Sequence, residues 1–330
     1  EGEGEGEGEG EGEGEGEGEG EAEGEGEGEC VGPVTFTDLN LEQAIREALN
    51  KPVHPIEGAD LEMLTSLNAS GWGIETLDGI QCCINLTELW LNDNRIISIA
   101  PLRTLTTLRR LSLRNNHITN LSPLGGLVYL DTLCLEGNHI RILKALEGLT
   151  RLTELILRDN DISALSPLAG FTHLRALDLS ANRVFDASAL TGLHELTELD
   201  LSRNKLSALG PLAELPGLEK LSLAYNPISD LSALVGLHAL EELRLEGCLL
   251  RDLGPLAGLT NLRVLDLWEN KIRILDPLAG LLNLEWLNLN SNNVRNLEPL
   301  ASLTNLRSLS IEYNDLWDLT PLEGLTRLVE

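Results

Sequence analysis

Two histidines and an aspartate occur at the same position of three consecutive 22-residue segments: His117, His139 and Asp161. Two imidazoles and a carboxylate can bind a divalent metal ion if the fold brings them into one column. The alternative is a solvated turn, where polar residues are expected and where the spacing between segments is loose for tight coordination. We favour the turn, so we expect no metal and no cofactor.

Catalytic signatures are missing from the sequence. It contains no phosphate-binding glycine loop, no H-E-x-x-H and no G-x-S-x-G motif. His173, His194 and His238 fall near the junctions between the 22-residue segments, where turns are expected. The sequence therefore predicts that the chain is not an enzyme.

The element that must position any site is a leucine repeat. Leucine recurs every 22 residues from Leu86 to Leu328 without interruption. The segment 86–107 shows the pattern L-x-x-L-x-L-x-x-N-x-I, which matches the leucine-rich repeat. Eleven copies fit between residues 86 and 327, and a degenerate copy occupies 64–85. The predicted fold is an α/β solenoid, a curved horseshoe with a parallel sheet on its concave face and short 3-10 or irregular segments on its convex side.

Position 9 of the repeat is asparagine in ten copies and cysteine in one, Cys248. An amide can both donate and accept hydrogen bonds, so it can satisfy backbone groups where the strand ends. Position 16 is usually proline, which favours a turn-like return path. Both columns are predicted to be structural.

The two ends differ from the repeats. Residues 1–30, which begin with alternating Glu and Gly, are predicted to be a disordered linker because they contain almost nothing apolar to bury. Residues 31–63 are predicted to form a helical cap, with an apolar stripe of Leu41, Ala44, Ile45, Ala48 and Leu49. The solenoid, 64–330, stops just inside another unit, so we expect a truncated C-terminus.

The five cysteines do not form a regular framework. Cys82 and Cys83 are adjacent and lack C-x-x-C spacing, which argues against a zinc site. Because the cap should fold onto the first repeat, Cys30 is a candidate to pair with either Cys82 or Cys83. The sequence leaves this choice open.

The charge of −29 is concentrated at the N-terminus, since 15 of the 53 acidic residues lie in the first 29 positions. Residues 30–330 contain the other 38 acidic residues and all 24 basic residues, so this part of the chain is acidic as well. No basic cluster indicates a nucleic-acid partner. No apolar run is long enough to predict membrane insertion.

Binding residues are predicted in the outward columns of the sheet. Side chains alternate across a strand, so positions 3, 5 and 7 should face outward, with position 8 at the edge. Tryptophan, tyrosine and arginine dominate interface energetics, and acids accompany them in these columns. The candidate partner-binding residues are Trp90, Arg110, Arg114, Arg158, Asp178, Asp200, Arg244, Asp266, Trp268, Trp286, Asn288 and Tyr313. The alternative is that this variation is neutral.

The cap FTDLNLEQAIREAL and repeats such as NLTELWLNDNRIISIAPLRTLTTL resemble bacterial internalin-like leucine-rich-repeat proteins over roughly residues 36–327. The resemblance implies a secreted or surface-attached protein that binds other proteins through its concave sheet. A flanking immunoglobulin-like domain and a wall anchor, which the family pattern also includes, are absent from the sequence.

The predicted function is therefore a non-enzymatic protein–protein interaction module, extracellular or on the bacterial cell surface. We expect a monomer with a protein partner, and carbohydrate is an alternative ligand. Two other functions stay open: the recognition domain of a larger secreted enzyme, and an intracellular scaffold that regulates an enzyme.

Overall fold

The computed structural model describes Cys30 and residues 32–329. Residues 1–29, the main part of the predicted linker, lie outside this range. The described residues contain twelve short strands that form one parallel sheet in chain order. Neighbouring strands pair with a constant offset of one repeat, so that Leu67 lies opposite Leu89 and Leu89 opposite Leu111. The strands are β1 Ser66–Asn68, β2 Glu88–Trp90, β3 Arg110–Ser112, β4 Thr132–Cys134, β5 Glu154–Ile156, β6 Ala176–Asp178, β7 Glu198–Asp200, β8 Lys220–Ser222, β9 Glu242–Arg244, β10 Val264–Asp266, β11 Trp286–Asn288 and β12 Ser308–Ser310.

The leucine columns form the core. In each strand the middle residue is buried, and in strands β2–β11 the leucine two positions later is buried as well, as Leu89 and Leu91 show. Each repeat covers the apolar side of its neighbour, so the core runs without a break from the cap to the last repeats. The predicted alternation of inward and outward residues is confirmed.

The asparagine column hydrogen-bonds the backbone of adjacent repeats. The Asn116 amide donates to the carbonyls of Leu91 (2.9 Å) and Leu113 (3.0 Å), and its Oδ1 accepts from the N–H of Ile96 (3.0 Å). Cys248 cannot reproduce this pattern, since its Sγ makes two long contacts, at 3.5 Å with the Leu223 carbonyl and at 3.8 Å with the Glu246 carbonyl. The predicted structural role of the column is confirmed.

Short 3-10 helices line the other side of each repeat, which confirms the predicted solenoid class. Proline occupies the first or second position of most of them, as Pro101 does, because its fixed φ suits a helical start. Their bounds are Ile80–Cys82, Ala100–Thr104, Ser122–Leu124, Lys144–Leu146, Ser166–Leu168, Ser188–Leu190, Gly210–Glu214, Ser232–Leu234, Gly254–Leu256, Asp276–Leu278, Glu298–Leu300 and Thr320–Leu322.

The N-terminal end is covered by α1 (Leu39–Leu49) and α2 (Gly58–Leu61). Asp38 caps α1: its Oδ1 accepts from the N–H of Asn40 (2.9 Å), while its Oδ2 accepts from the N–H of Glu75 (2.7 Å) in the first repeat. Burial acts to raise the pKa of Asp38, but these and two further backbone N–H groups outweigh it and lower the pKa.

The apolar stripe predicted for α1 needs one correction, since Ala48 is exposed. Leu49, the next residue, is half-buried and packs against the core, so the buried side of the helix passes beside Ala48. The boundary between cap and solenoid at residues 63 and 64 stays a prediction, because the cap and the first repeat share one core.

The structure pairs Cys30 with Cys82, which decides between the two predicted pairings. Cys83 is buried as a free thiol, and burial raises its pKa to about 12. The disulfide therefore links the segment before the cap to the first 3-10 helix of the solenoid.

The C-terminal end is less well covered. Leu316 and Leu322 are only partly buried, whereas Val294 and Leu300, their equivalents one repeat earlier, are completely buried. Among the described residues, no helix has the length and apolar character needed to cross a membrane.

Candidate interaction surface

The outward residues of the twelve strands form the concave face, which we define as repeat positions 3, 5, 7 and 8. Because the strands pair in register, residues 22 apart in sequence lie side by side in columns. Adjacent strands of a sheet are about 4.8 Å apart, so twelve of them span on the order of 50 Å. Such a length suits a macromolecular ligand.

The early region of this face, strands β2–β5, has compensated charges. The Arg110 guanidinium lies 2.6 Å from a carboxylate oxygen of Glu88 on the neighbouring strand. Glu136 lies between two arginines, at 3.5 Å from Arg114 and 3.7 Å from Arg158. All three predicted arginines of this region therefore have carboxylate partners.

A second region, which we call the acidic pocket, is a depression of about 450 Å³ over strands β5–β9. It exists because several outward residues there are small, among them Ala176, Ser202, Ser222 and Ala224. Longer side chains that also line the pocket, among them Glu154, Glu198 and Glu242, stand beside these small residues.

Two aspartates line the acidic pocket side by side. Asp178 and Asp200 are register partners on β6 and β7, so like charges lie directly across a strand pair. Burial raises the pKa of Asp178, and the Asp200 carboxylate contributes to the rise against the hydrogen bonds from Ser180. Like charges in this arrangement destabilise a sheet, so sheet stability does not explain the pair.

The basic residues that line the acidic pocket already have partners among its other lining residues. Lys220 Nζ lies 2.6 Å from Glu198, and Arg244 Nε lies 2.6 Å from Glu242. The Arg203 guanidinium stacks over the Tyr225 ring, 4.5 Å from its centre. Carboxylates consequently remain in excess inside the pocket.

Aromatic residues border the acidic pocket on its C-terminal side. The rings of Tyr225 and Trp268 meet edge to face, with their centres 6.4 Å apart. Tyr225 lines the pocket, and Trp268 is 37 % exposed. A rigid aromatic wall therefore stands next to the carboxylates.

The predicted patch in the later repeats is brought together only in part. Asp266 pairs in register with Arg244 on one side and Asn288 on the other, so these three form one row. Trp286 lies opposite Val264, and it is half-buried. Tyr313 is 81 % exposed near the poorly covered end.

Two predicted residues are less accessible than the pattern suggested. Asp266 is only 7 % exposed, because Arg244, Trp268 and Asn288 surround it. Trp90, in the early region, is half-buried between Asn68 and Ser112 on the neighbouring strands. Each still belongs to an outward column of the face.

Sequence reasoning missed Glu246 as a site residue. Its Oε2 is buried without a hydrogen-bond partner among the described residues. Burial raises the pKa of Glu246 to about 7, and the neighbouring Asp266 adds to the rise. The available signal was an acid at position 7 beside an acid at position 5 of the next repeat.

The three residues considered as metal ligands form a different arrangement. The rings of His117 and His139 stack in parallel with their centres 6.0 Å apart, and Asp161 forms ion pairs with Arg183 and Arg141. Within residue 30 and residues 32–329, no group of three or more His, Cys, Asp or Glu side chains is arranged to hold a metal ion. His117 and His139 are exposed and Asp161 is half-buried, so the column lies at the surface.

Comparison with known proteins identifies the family. The leucine-rich-repeat profile matches residues 194–250, and the profile for two copies of the repeat matches 106–149, 150–193, 238–280 and 282–325. These matches cover more than half of the chain.

Solved structures agree with the profiles. An internalin (inlF) from Listeria monocytogenes is 28 % identical, with a TM-score of 0.81 over 89 % of this chain and 94 % of that chain. Internalin C2 from the same species is 32 % identical, with a TM-score of 0.56 over 73 % and 97 %.

A plant peptide hormone receptor, RGFR1 in complex with RGF2, shares the fold at 20 % identity, with a TM-score of 0.66 over 81 % of this chain and 45 % of that chain. The architecture is that of a protein-interaction module. The chain therefore belongs to the leucine-rich-repeat family, as an internalin-like member.

Proposed function

We propose that this chain binds a protein partner through its concave face and does so without catalysis. The observation that carries the proposal is the distribution of aromatic residues. The concave face holds three of the five tryptophans and two of the three tyrosines. These five residues are Trp90, Tyr225, Trp268, Trp286 and Tyr313. Aromatic residues contribute large contact areas at interfaces, so their concentration on one face favours binding there.

We infer that the protein acts outside the cytosol, on a bacterial surface or in secreted form, as a single copy. The Cys30–Cys82 disulfide supports this location, since such bonds persist in oxidising compartments. The similarity to internalins of Listeria monocytogenes supports it as well.

The same disulfide disfavours the intracellular scaffold that the sequence left open, because cytosolic thiols are normally kept reduced. A recognition domain within a larger secreted enzyme is compatible with the disulfide. In both the preferred function and this alternative, the concave face makes the contact with the partner.

The test selects ligands directly. Random 12-residue peptides are displayed as a library, and those that bind the full chain are enriched. The affinities of the enriched peptides are then measured for the parent chain, for a concave-face variant and for a control variant. Trp268→Ala combined with Trp286→Ala removes two aromatic rings from the concave face. We expect a loss of affinity of about 10-fold or more, as for aromatic hot spots.

The matched control is Trp317→Ala, because Trp317 is 84 % exposed and lies outside the concave columns. It should leave the affinity unchanged. An equal loss in the control, or unchanged binding in the concave variant, would argue against the concave face as the binding surface.

A further inference from the structure

Asp178 and Asp200 are held in fixed orientations that leave one oxygen of each without a partner. Asp178 Oδ1 accepts from the N–H (2.8 Å) and the hydroxyl (2.6 Å) of Ser180. Asp200 Oδ1 accepts from the N–H of Ser202 (2.8 Å). Neither Oδ2 atom has a hydrogen bond to any of the described residues. The two carboxylates are therefore preorganised as acceptors, with one oxygen of each still available.

The charge balance of the acidic pocket favours a cation. Six carboxylates and three basic groups line it. Ion pairs with Lys220 and Arg244 neutralise Glu198 and Glu242. Four lining carboxylates make no ion pair with any of the described residues, and one cation, Arg203, is left to compensate them: Glu154, Asp178, Asp200 and Glu246. Because the pKa of Glu246 is raised to about 7, Glu246 is only partly ionised near neutral pH, and the other three carboxylates still outnumber the one cation.

The shape and lining of the pocket favour a protruding side chain over an enclosed small molecule. Small-molecule sites are lined mainly by apolar residues that enclose the ligand. Here most outward residues are polar or charged, and the pocket opens onto the concave face. Ile156, Ala176 and Ala224 supply apolar surface against which an aliphatic stem can pack.

We propose that the acidic pocket accepts a lysine or arginine side chain of the protein partner, whose cation lies between the carboxylates of Asp178 and Asp200. This inference rests on the proposed function, since it names the chemistry of the partner that the concave face binds. The bound cation relieves the repulsion between the two aspartates, and its hydrogen bonds go to the oxygens that the fold leaves free.

The experiment uses the peptides enriched on the full chain. Their affinities are measured for Asp178→Asn combined with Asp200→Asn, which removes the charges, while each asparagine keeps an Oδ1 that can accept from Ser180 or Ser202. The matched control is Asp230→Asn combined with Asp252→Asn. These exposed aspartates also accept from the N–H two residues later, at 2.8 Å each, and lie outside the concave face.

The control also corrects for the glutamate-rich N-terminus, which attracts basic peptides without specificity. Both variants change the net charge by the same amount, and both retain the 15 glutamates of residues 1–29. We expect the enriched peptides to share a lysine or arginine. Their affinity should fall about 10-fold or more in the pocket variant and stay within about 2-fold in the control.

A double-mutant cycle assigns the contact. Replacing the shared basic residue of the peptide by glutamine should cost about as much as the pocket substitution, and the two losses should not add. Additive losses, or equal losses in pocket and control variants, overturn the inference.

Failure of the inference can be told from failure of the proposed function. If the peptides lose affinity for the Trp268→Ala, Trp286→Ala variant but not for the pocket variant, the inference that the pocket binds a basic side chain is wrong. Binding by the concave face is then still supported. Peptides that tolerate both variants, or a selection that enriches none, overturn both proposals.

Discussion

The early region and the acidic pocket occupy neighbouring parts of one face, and they differ in one pair of charges, Asp178 and Asp200. In the early region, residues one repeat apart carry opposite charges, as Arg110 and Glu88 do at 2.6 Å. In the pocket, Asp178 and Asp200 lie one repeat apart and carry the same charge, whereas Glu198 and Lys220, two positions earlier in their repeats, carry opposite charges. The backbone register of the two regions is identical. The repeat therefore fixes where side chains stand and leaves their charge free to vary.

This difference separates two reasons why charged residues occur on the sheet of a repeat protein: the stability of the fold and contact with a partner. Opposite charges across a strand pair contribute modestly to stability, and like charges oppose it. The early region can be explained by the stability of the solenoid alone. The Asp178–Asp200 pair cannot be explained by stability, which is why we propose that these two charges serve contact with a partner.

The largest predicted effect tests whether the scaffold is the same in both regions. Asn116→Ala in the early region and Asn182→Ala beside the pocket each remove an amide that hydrogen-bonds adjacent repeats. Each should lower the free energy of unfolding by about 2–4 kcal/mol, because buried backbone groups lose their partners. Denaturant unfolding followed by circular dichroism measures both.

Cys248 provides the internal control for this prediction. Its thiol makes weak contacts only, and the N–H of Ile228 already bonds to the Asn226 carbonyl (2.8 Å). Cys248→Ala should therefore cost clearly less than either asparagine substitution. Unequal costs for Asn116 and Asn182 would show that the two regions differ in scaffold as well as in charge.

The fold was predictable because its determinants repeat. Leucine at positions 1, 4 and 6 and asparagine at position 9 recur often enough that one mismatch, such as Cys248, does not obscure the period. The direction of outward side chains followed from strand alternation. The sequence also narrowed the disulfide to two partners for Cys30, and geometry chose Cys82.

For the site, the sequence predicted only which columns of the concave face its residues occupy. The sequence placed Asp178 and Asp200 side by side, but the pocket depends on small residues in several repeats together. The burial of Asp266 and the missing partner of Glu246 depend on how long side chains fold over one another. A repeat pattern specifies backbone spacing, and it carries little information about such rotamers.

The second prediction concerns pH and belongs to the acidic pocket, which Glu246 lines. The pKa of Glu246 is raised to about 7 by burial, and its ordinary value is 4.5. The folded state therefore binds this proton more tightly than the unfolded state does. Between about pH 8 and pH 5, stability should rise as pH falls, and the gain ends near the unfolded pKa. Because Glu246 is partly exposed, we expect a contribution on the order of 1 kcal/mol.

Glu246→Gln isolates this contribution, since it removes the titrating group and keeps the shape of the side chain. The difference in unfolding free energy between the parent and the variant should shrink as the pH falls from 8 to 5. Carboxyls with lowered pKa values, such as Asp38, lose their contribution only at lower pH. A difference that stays constant across this window would contradict the raised pKa of Glu246.

The smallest predicted effect is a change in the free energy of unfolding when one carboxylate is neutralised, and its sign differs between the two regions. Glu136→Gln weakens the ion pairs with Arg114 and Arg158, which are about half exposed, so it should destabilise the protein by about 0.2–1 kcal/mol. Asp178→Asn removes a partly buried charge next to Asp200 and keeps the acceptor for Ser180. It should stabilise the protein by about 0.5–1 kcal/mol.

Thermal unfolding of both variants at low ionic strength measures the two signs under one condition. Added salt should shrink the effect of Glu136→Gln more, because exposed pairs are screened more strongly than buried ones. Stabilisation by Asp178→Asn together with weaker peptide binding would show that the pocket charges serve the contact at the expense of the fold. Destabilisation by Asp178→Asn would instead give the aspartate pair a structural role and remove the contrast between the regions.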